Sequence, residues 1–271
     1  MKTCLCTTML ETARFEARRR AKRAVAVGVA MSGLIALVVV MFPSIQETEG
    51  LESYVENLPD AFSAAIGGDV AFTTIEGFLI IEVYRMTWML IVGAYFAYVS
   101  AGFVAGEVER GSIELTLMNP VRRRRVVVEK FLSAVPDTVV VTLLTFLVVV
   151  VTVTWIDESI NVGNLVLLHI VGGVYLLSCV AFGLLVSTVI DGEQRAQITG
   201  FGGIALMYIL EAVTRDTDYE WMSLPMIPRY FDPNSILIDG EVNGTDTLVL
   251  FAFTVAFVWL AAVVFEGSDI G

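Results

Sequence analysis

Six stretches of the chain are apolar around the whole helical circumference rather than on one stripe, a pattern expected of helices that meet lipid or other helices on every side. They are residues 24–42, 86–106, 138–156, 165–189, 196–213 and 247–265. A spanning helix needs about 20 mainly apolar residues to cross a hydrocarbon core roughly 30 Å thick. All six stretches come close to that length, and 196–213 is the shortest. The pattern therefore predicts an all-α integral membrane protein with six transmembrane helices in a single domain, 1–271. The stretch 24–42 follows a basic run as a signal peptide would, but no small-residue cleavage site follows it, so it is read as a retained first span.

Between the spans the pattern changes. Residues 9–23 mix Leu10, Phe15 and Ala21 with many basic residues, which suits a helix lying on the membrane surface, so 1–23 is expected to be an interfacial helix. Its anchors are Arg18, Arg19, Arg20, Lys22 and Arg23; a plain positively charged anchor explains them equally well. In the segment 43–76, Leu51, Val55, Leu58 and Phe62 recur at helical spacing. The segment 214–246 carries Trp221, Tyr230 and Phe231 among Pro225, Pro228 and Pro233, which predicts short helical pieces at the membrane interface before the last span. Glu82 and Arg85, three residues apart, are expected to pair on one helix face.

Composition agrees with the pattern: 56% of the 271 residues are hydrophobic and 17% charged, with a mean hydropathy of +0.75. The charges are unevenly placed. Arg110, Arg122, Arg123, Arg124, Arg125, Lys130 and Arg195 fall in the same alternate segments as the basic N-terminus, which predicts a cell-membrane protein with both termini cytoplasmic. The intervening segments are acidic. Residues 43–76 hold seven acids and no Lys or Arg, and 211–246 hold eight acids against Arg215 and Arg229. That sign disfavours nucleic acid as a partner. With 14 Arg to 3 Lys, it reads as a halophile-like acidic surface, a cation-binding vestibule being the sharper alternative.

Catalytic chemistry is sparse. His169 is the single histidine and is expected to be a packed, hydrogen-bonded residue. No H-E-x-x-H motif and no G-x-x-x-x-G-K-[ST] phosphate loop occurs, so no catalytic, cofactor or metal residues are assigned and the chain is not expected to be an enzyme. Cys4 and Cys6 make at most half a metal site, and Cys179 falls inside the fourth span.

The most informative stretch is the loop 107–130. Glu107, Glu109, Gly111, Glu114, Leu115, Leu117, Pro120, Val121, Arg123 and Lys130 stand in an acidic, glycine-punctuated run that ends in four arginines. Ile113 and Leu117 are one turn apart, which predicts a short helix offering an apolar ridge. Glu107 has Arg110 at helical spacing as a local partner. This run resembles the loop after span two in ABC-2 (type V exporter-like) permease subunits, E-x-E-x-G-T-x-E-x-L-L-x-x-P-[VI]-x-R followed by Lys, with Ser112 in place of the threonine.

The resemblance extends over the whole chain. It implies a permease subunit of the exporter class that binds no ATP itself and works with cytoplasmic ATP-binding subunits, which would carry ATP and Mg. It also implies a second permease copy or a related permease as dimer partner within the lipid bilayer. The loop would be a coupling helix, with Glu107, Glu109, Gly111, Glu114, Leu117, Pro120, Arg123 and Lys130 as its contact residues. The alternative is a membrane-anchored assembly or regulatory protein with a cytoplasmic docking loop.

Overall fold

The computed structural model describes residues 22, 25–46, 74–111, 123–215 and 217–267. Six helices are long and apolar enough to cross a membrane, and no strand occurs among the described residues. They are α1 (Val25–Gln46), α2 (Ile75–Glu109), α3 (Arg123–Trp155), α4 (Val162–Val189), α5 (Glu193–Thr214) and α6 (Gly244–Gly267). Successive helices run in opposite directions, so the C-terminal end of α2, the first turns of α3 and α5 and the end of α6 share one face, here called the loop side. The all-α, six-span expectation holds. The interfacial helix expected over 1–23, apart from Lys22, and the helix expected over 51–66 lie outside the described residues.

Two helices extend well beyond the spans expected from hydropathy. Helix α2 starts at Ile75 rather than 86, with the Thr74 hydroxyl accepting from Gly77 N–H at 3.2 Å as its N-cap. At 35 residues it is about 50 Å long, more than the hydrocarbon core requires. Helix α3 starts at Arg123 rather than 138 and runs straight through Pro136. A proline inside a helix removes one backbone bond, which packed neighbours tolerate in membrane bundles. Its buried side, with Val127, Lys130, Ala134, Val141 and Val149, continues without a break across that position.

Helices α2 and α4 form the centre. The apolar window of α2 is 67% buried and that of α4 61%, against 28% for α1 and α6. Small residues permit the crossing: a Cβ on Gly183 of α4 would lie 2.2 Å from both the Ala97 carbonyl oxygen and Ser100 Oγ of α2, and one on Gly200 of α5 would lie 2.9 Å from the same carbonyl. Polar bonds tie the helices at depth. Ser187 Oγ of α4 accepts from the backbone N–H of Val104 at 2.9 Å and Ala105 at 3.0 Å, and Ser178 Oγ donates to the Leu250 carbonyl of α6 at 2.9 Å. On α3, Thr138, Thr145 and Thr152 recur every seven residues on the buried side, each returning its hydroxyl to a carbonyl of the preceding turn.

The connection from α5 to α6 is built of short helical turns, Glu220–Ser223, Ile227–Tyr230 and Ser235–Asp239. It bears on the bundle through Phe231, which stacks on Tyr175 of α4 at 5.5 Å, while Trp221 and Tyr219 remain exposed. Short pieces with aromatics at the interface were expected here; the burial of Phe231 among the helices was not.

Candidate functional site: a loop-side clasp and a buried arginine opposite

On the loop side, charged residues knit three helix ends together. Lys130 of α3 is 3% exposed and its ammonium is paired with Glu107 of α2. Two residues further on, a Glu109 carboxylate oxygen accepts the Glu193 backbone N–H at 2.6 Å, at the first turn of α5. The positive end of a helix and a free N–H both favour an anion there. Arg110 reaches back to the Glu193 carboxylate at 2.6 Å. Gly106 makes room for that carboxylate, since a Cβ would fall 2.7 to 2.9 Å from its atoms. Helix α2 then ends at Gly111, whose φ of +66° suits glycine.

Glu107, Glu109 and Lys130 are thus drawn into contacts between helices, and Gly111 into the helix end. Arg123 opens α3. Arg124 pairs with Glu266 at the end of α6, and Arg125 with Glu129 one turn on at 2.8 Å. Glu114, Leu117 and Pro120 lie outside the described residues, as do Arg18, Arg19, Arg20 and Arg23; Lys22 is exposed. Glu193 was missed by sequence reasoning. Its signal was faint: an acid following Gly192, itself at φ +89°, at the first turn of the shortest span.

The opposite side differs. The expected Glu82–Arg85 pair does not form. Both residues sit in a π-helical stretch, Leu79–Val92, where each turn takes more than four residues and a three-residue step no longer stacks two side chains. Thr87 Oγ1 donates to the Glu82 carbonyl five residues back at 2.9 Å, in keeping with the wider turn. Arg85 is 4% exposed. It is turned toward α5 and the α5–α6 connection, where Arg215, Asp232, Glu211 and Tyr208 act on it electrostatically.

His169 is buried in an aromatic box, with ring centres of Tyr84, Trp88 and Phe146 at 5.7, 5.6 and 5.3 Å. Its Nδ1 bonds the Leu165 carbonyl at 2.9 Å, while Nε2 has no partner among the described residues. The packed, hydrogen-bonded histidine expected from sequence is what the fold holds. Cys179 is a buried free thiol. Among the described residues no group of three or more His, Cys, Asp or Glu is placed to hold a metal ion.

Six membrane-spanning helices, a central pair in backbone contact and a charged clasp at the end of the second span describe a membrane component. The family model described as ABC-2 family transporter protein matches residues 14–270, nearly the whole chain. The chain belongs to the ABC-2 transporter family. Among curated proteins, none matches it. As an ABC-2 protein it is a multi-pass membrane permease of an ABC transporter, the family's membrane component rather than its ATPase, and the family implies ATP-binding subunits as partners. The loop-side clasp therefore lies beside the segment that resembles the family's coupling loop.

Proposed function

We propose that this permease is an exporter subunit whose loop 107–130 faces the cytoplasm and takes the push of a separate ATPase, passing it to α3 and α5 through the clasp. The carrying observation is that Glu109 and Arg110 both grip Glu193, at 2.6 Å each, across the gap between the end of α2 and the start of α5. A link of this kind would move α5 with the loop, and α2 also approaches α5 closely at Gly200. Glu107 carries the same displacement to α3 through Lys130. Glu114, Leu117, Pro120 and Arg123 supply the contact with the ATPase. Two permease halves, identical or related, enclose the path, and ATP with Mg is bound in the partner.

The test is co-expression with the candidate ATPase and purification through the permease. The intact chain is expected to bring the ATPase with it, and Leu117→Asp to lose it while remaining monodisperse. Equal recovery with Leu117→Asp and with a deletion of 107–119 would overturn coupling by this loop. Orientation is tested separately: a membrane-impermeant thiol reagent on intact cells should label a cysteine placed at Asp216 and not one at Arg123, and the reverse pattern would invert the topology.

A further inference from the structure

Among the described residues, the buried guanidinium of Arg85 forms no ion pair. It is 4% exposed, its Nε has no partner, and it forms no ion pair or hydrogen bond among the described residues. Ionisable side chains in membrane spans are costly to leave unpaired and mark functional sites.

Neither of the two acids that act on Arg85 electrostatically touches it. Glu211, 5% exposed, spends Oε1 on Arg215, at 2.9 Å from Nε and 2.7 Å from Nη2. Asp232 accepts from Ser235 Oγ at 2.7 Å and Asn234 N–H at 3.0 Å. Arg215 keeps Nη1 unused, and Tyr208, buried beside Arg85, makes no hydrogen bond among the described residues.

We infer that Arg85 anchors an oxyanion-binding site on the side of the bundle opposite the loop, taking a phosphate group with Arg215 Nη1 and the Tyr208 hydroxyl as further donors. A guanidinium presents a planar fork of N–H donors that matches phosphate oxygens, and an incoming anion supplies the direct contact that no described acid makes. The phosphate is carried by an anionic amphiphile or is free in solution, since the recognising chemistry is the same. Arg215, at 25% side-chain exposure, stands on the open edge, so the anion enters at headgroup level. If the anion is cargo, the inference rests on the permease reading; the binding test below uses the permease without its ATPase, so it fails or succeeds independently of coupling.

The experiment uses the full chain in an uncharged detergent, with short-chain phosphatidic acid and inorganic phosphate as probes, read by native mass spectrometry and thermal melting. Wild type is expected to bind and be stabilised. Arg85→Gln is expected to bind about tenfold more weakly or worse, the effect of losing charge-assisted hydrogen bonds, and Arg229→Gln, whose guanidinium is paired with Glu220 at 2.7 Å, to bind as wild type does. Binding of phosphatidate alone identifies a lipid-borne phosphate; Arg85-dependent binding of inorganic phosphate identifies a free one. Arg85→Lys keeps the charge but not the fork and is expected to weaken binding. Without probe, Arg85→Gln is expected to melt at or above the wild-type temperature. Absence of binding to wild type, equal binding by Arg85→Gln, or a lower melting temperature of probe-free Arg85→Gln would each overturn the site.

Discussion

Two cations are buried to the same degree on opposite sides of this bundle and are treated in opposite ways. Lys130, 3% exposed, is paired with Glu107, whereas Arg85, 4% exposed, forms no ion pair among the described residues. Burial costs a charge several kcal/mol unless geometry returns it. On the loop side the cost is met within the protein, by a contact that also binds α2 to α3. On the other side no described acid touches the guanidinium, and Glu211 is paired with Arg215 instead. The first arrangement suits a part that transmits displacement. The second suits a part that waits for a ligand.

The comparison breaks most easily at Glu107. Glu107→Ala removes the carboxylate paired with the buried Lys130 ammonium and is expected to lower unfolding free energy by about 1–3 kcal/mol, read by denaturation in micelles, with Lys130→Met in the same chain recovering most of it. A loss below about 1 kcal/mol would mean that the pair is replaceable by water. Arg85→Met should do the reverse, raising stability by roughly 1 kcal/mol or more in anion-free detergent because it removes an uncompensated charge; a clear fall in melting temperature would show that Arg85 is held by its own protein.

Smaller effects sharpen the loop side. Glu109→Gln keeps an acceptor for the Glu193 N–H but loses the charge at the helix start, worth about 1 kcal/mol by the same denaturation. Arg124→Gln removes an exposed pair with Glu266, with 56% and 45% side-chain exposure, and is expected to change stability by less than about 1 kcal/mol, a difference that 1 M salt erases.

The six spans were legible because each is apolar enough to stand out without any knowledge of its neighbours. Their ends were not. Helix α3 continues through Pro136 and a charged first turn because Val127, Lys130 and Ala134 have partners in other helices, which hydropathy along one chain does not report. The loop residues Glu107, Glu109 and Lys130 were picked out by their pattern, yet their contacts with one another and with Glu193 depend on helix ends brought together by the fold. Glu82 and Arg85 show the opposite failure. A spacing rule for 3.6-residue turns was applied to a stretch whose turns are wider. The pair that does form, Glu211 with Arg215, stands at the favourable four-residue spacing and was open to the same rule.

The central claim is that the two sides do different work, the loop side meeting the ATPase. A photo-crosslinking residue placed at Leu117 or at Trp221, an exposed position on the opposite side, tests this in membranes containing the assembled transporter. A crosslink to the ATPase is expected from position 117 and none from 221. A crosslink from 221, or none from 117 in a complex that co-purifies intact, would contradict it.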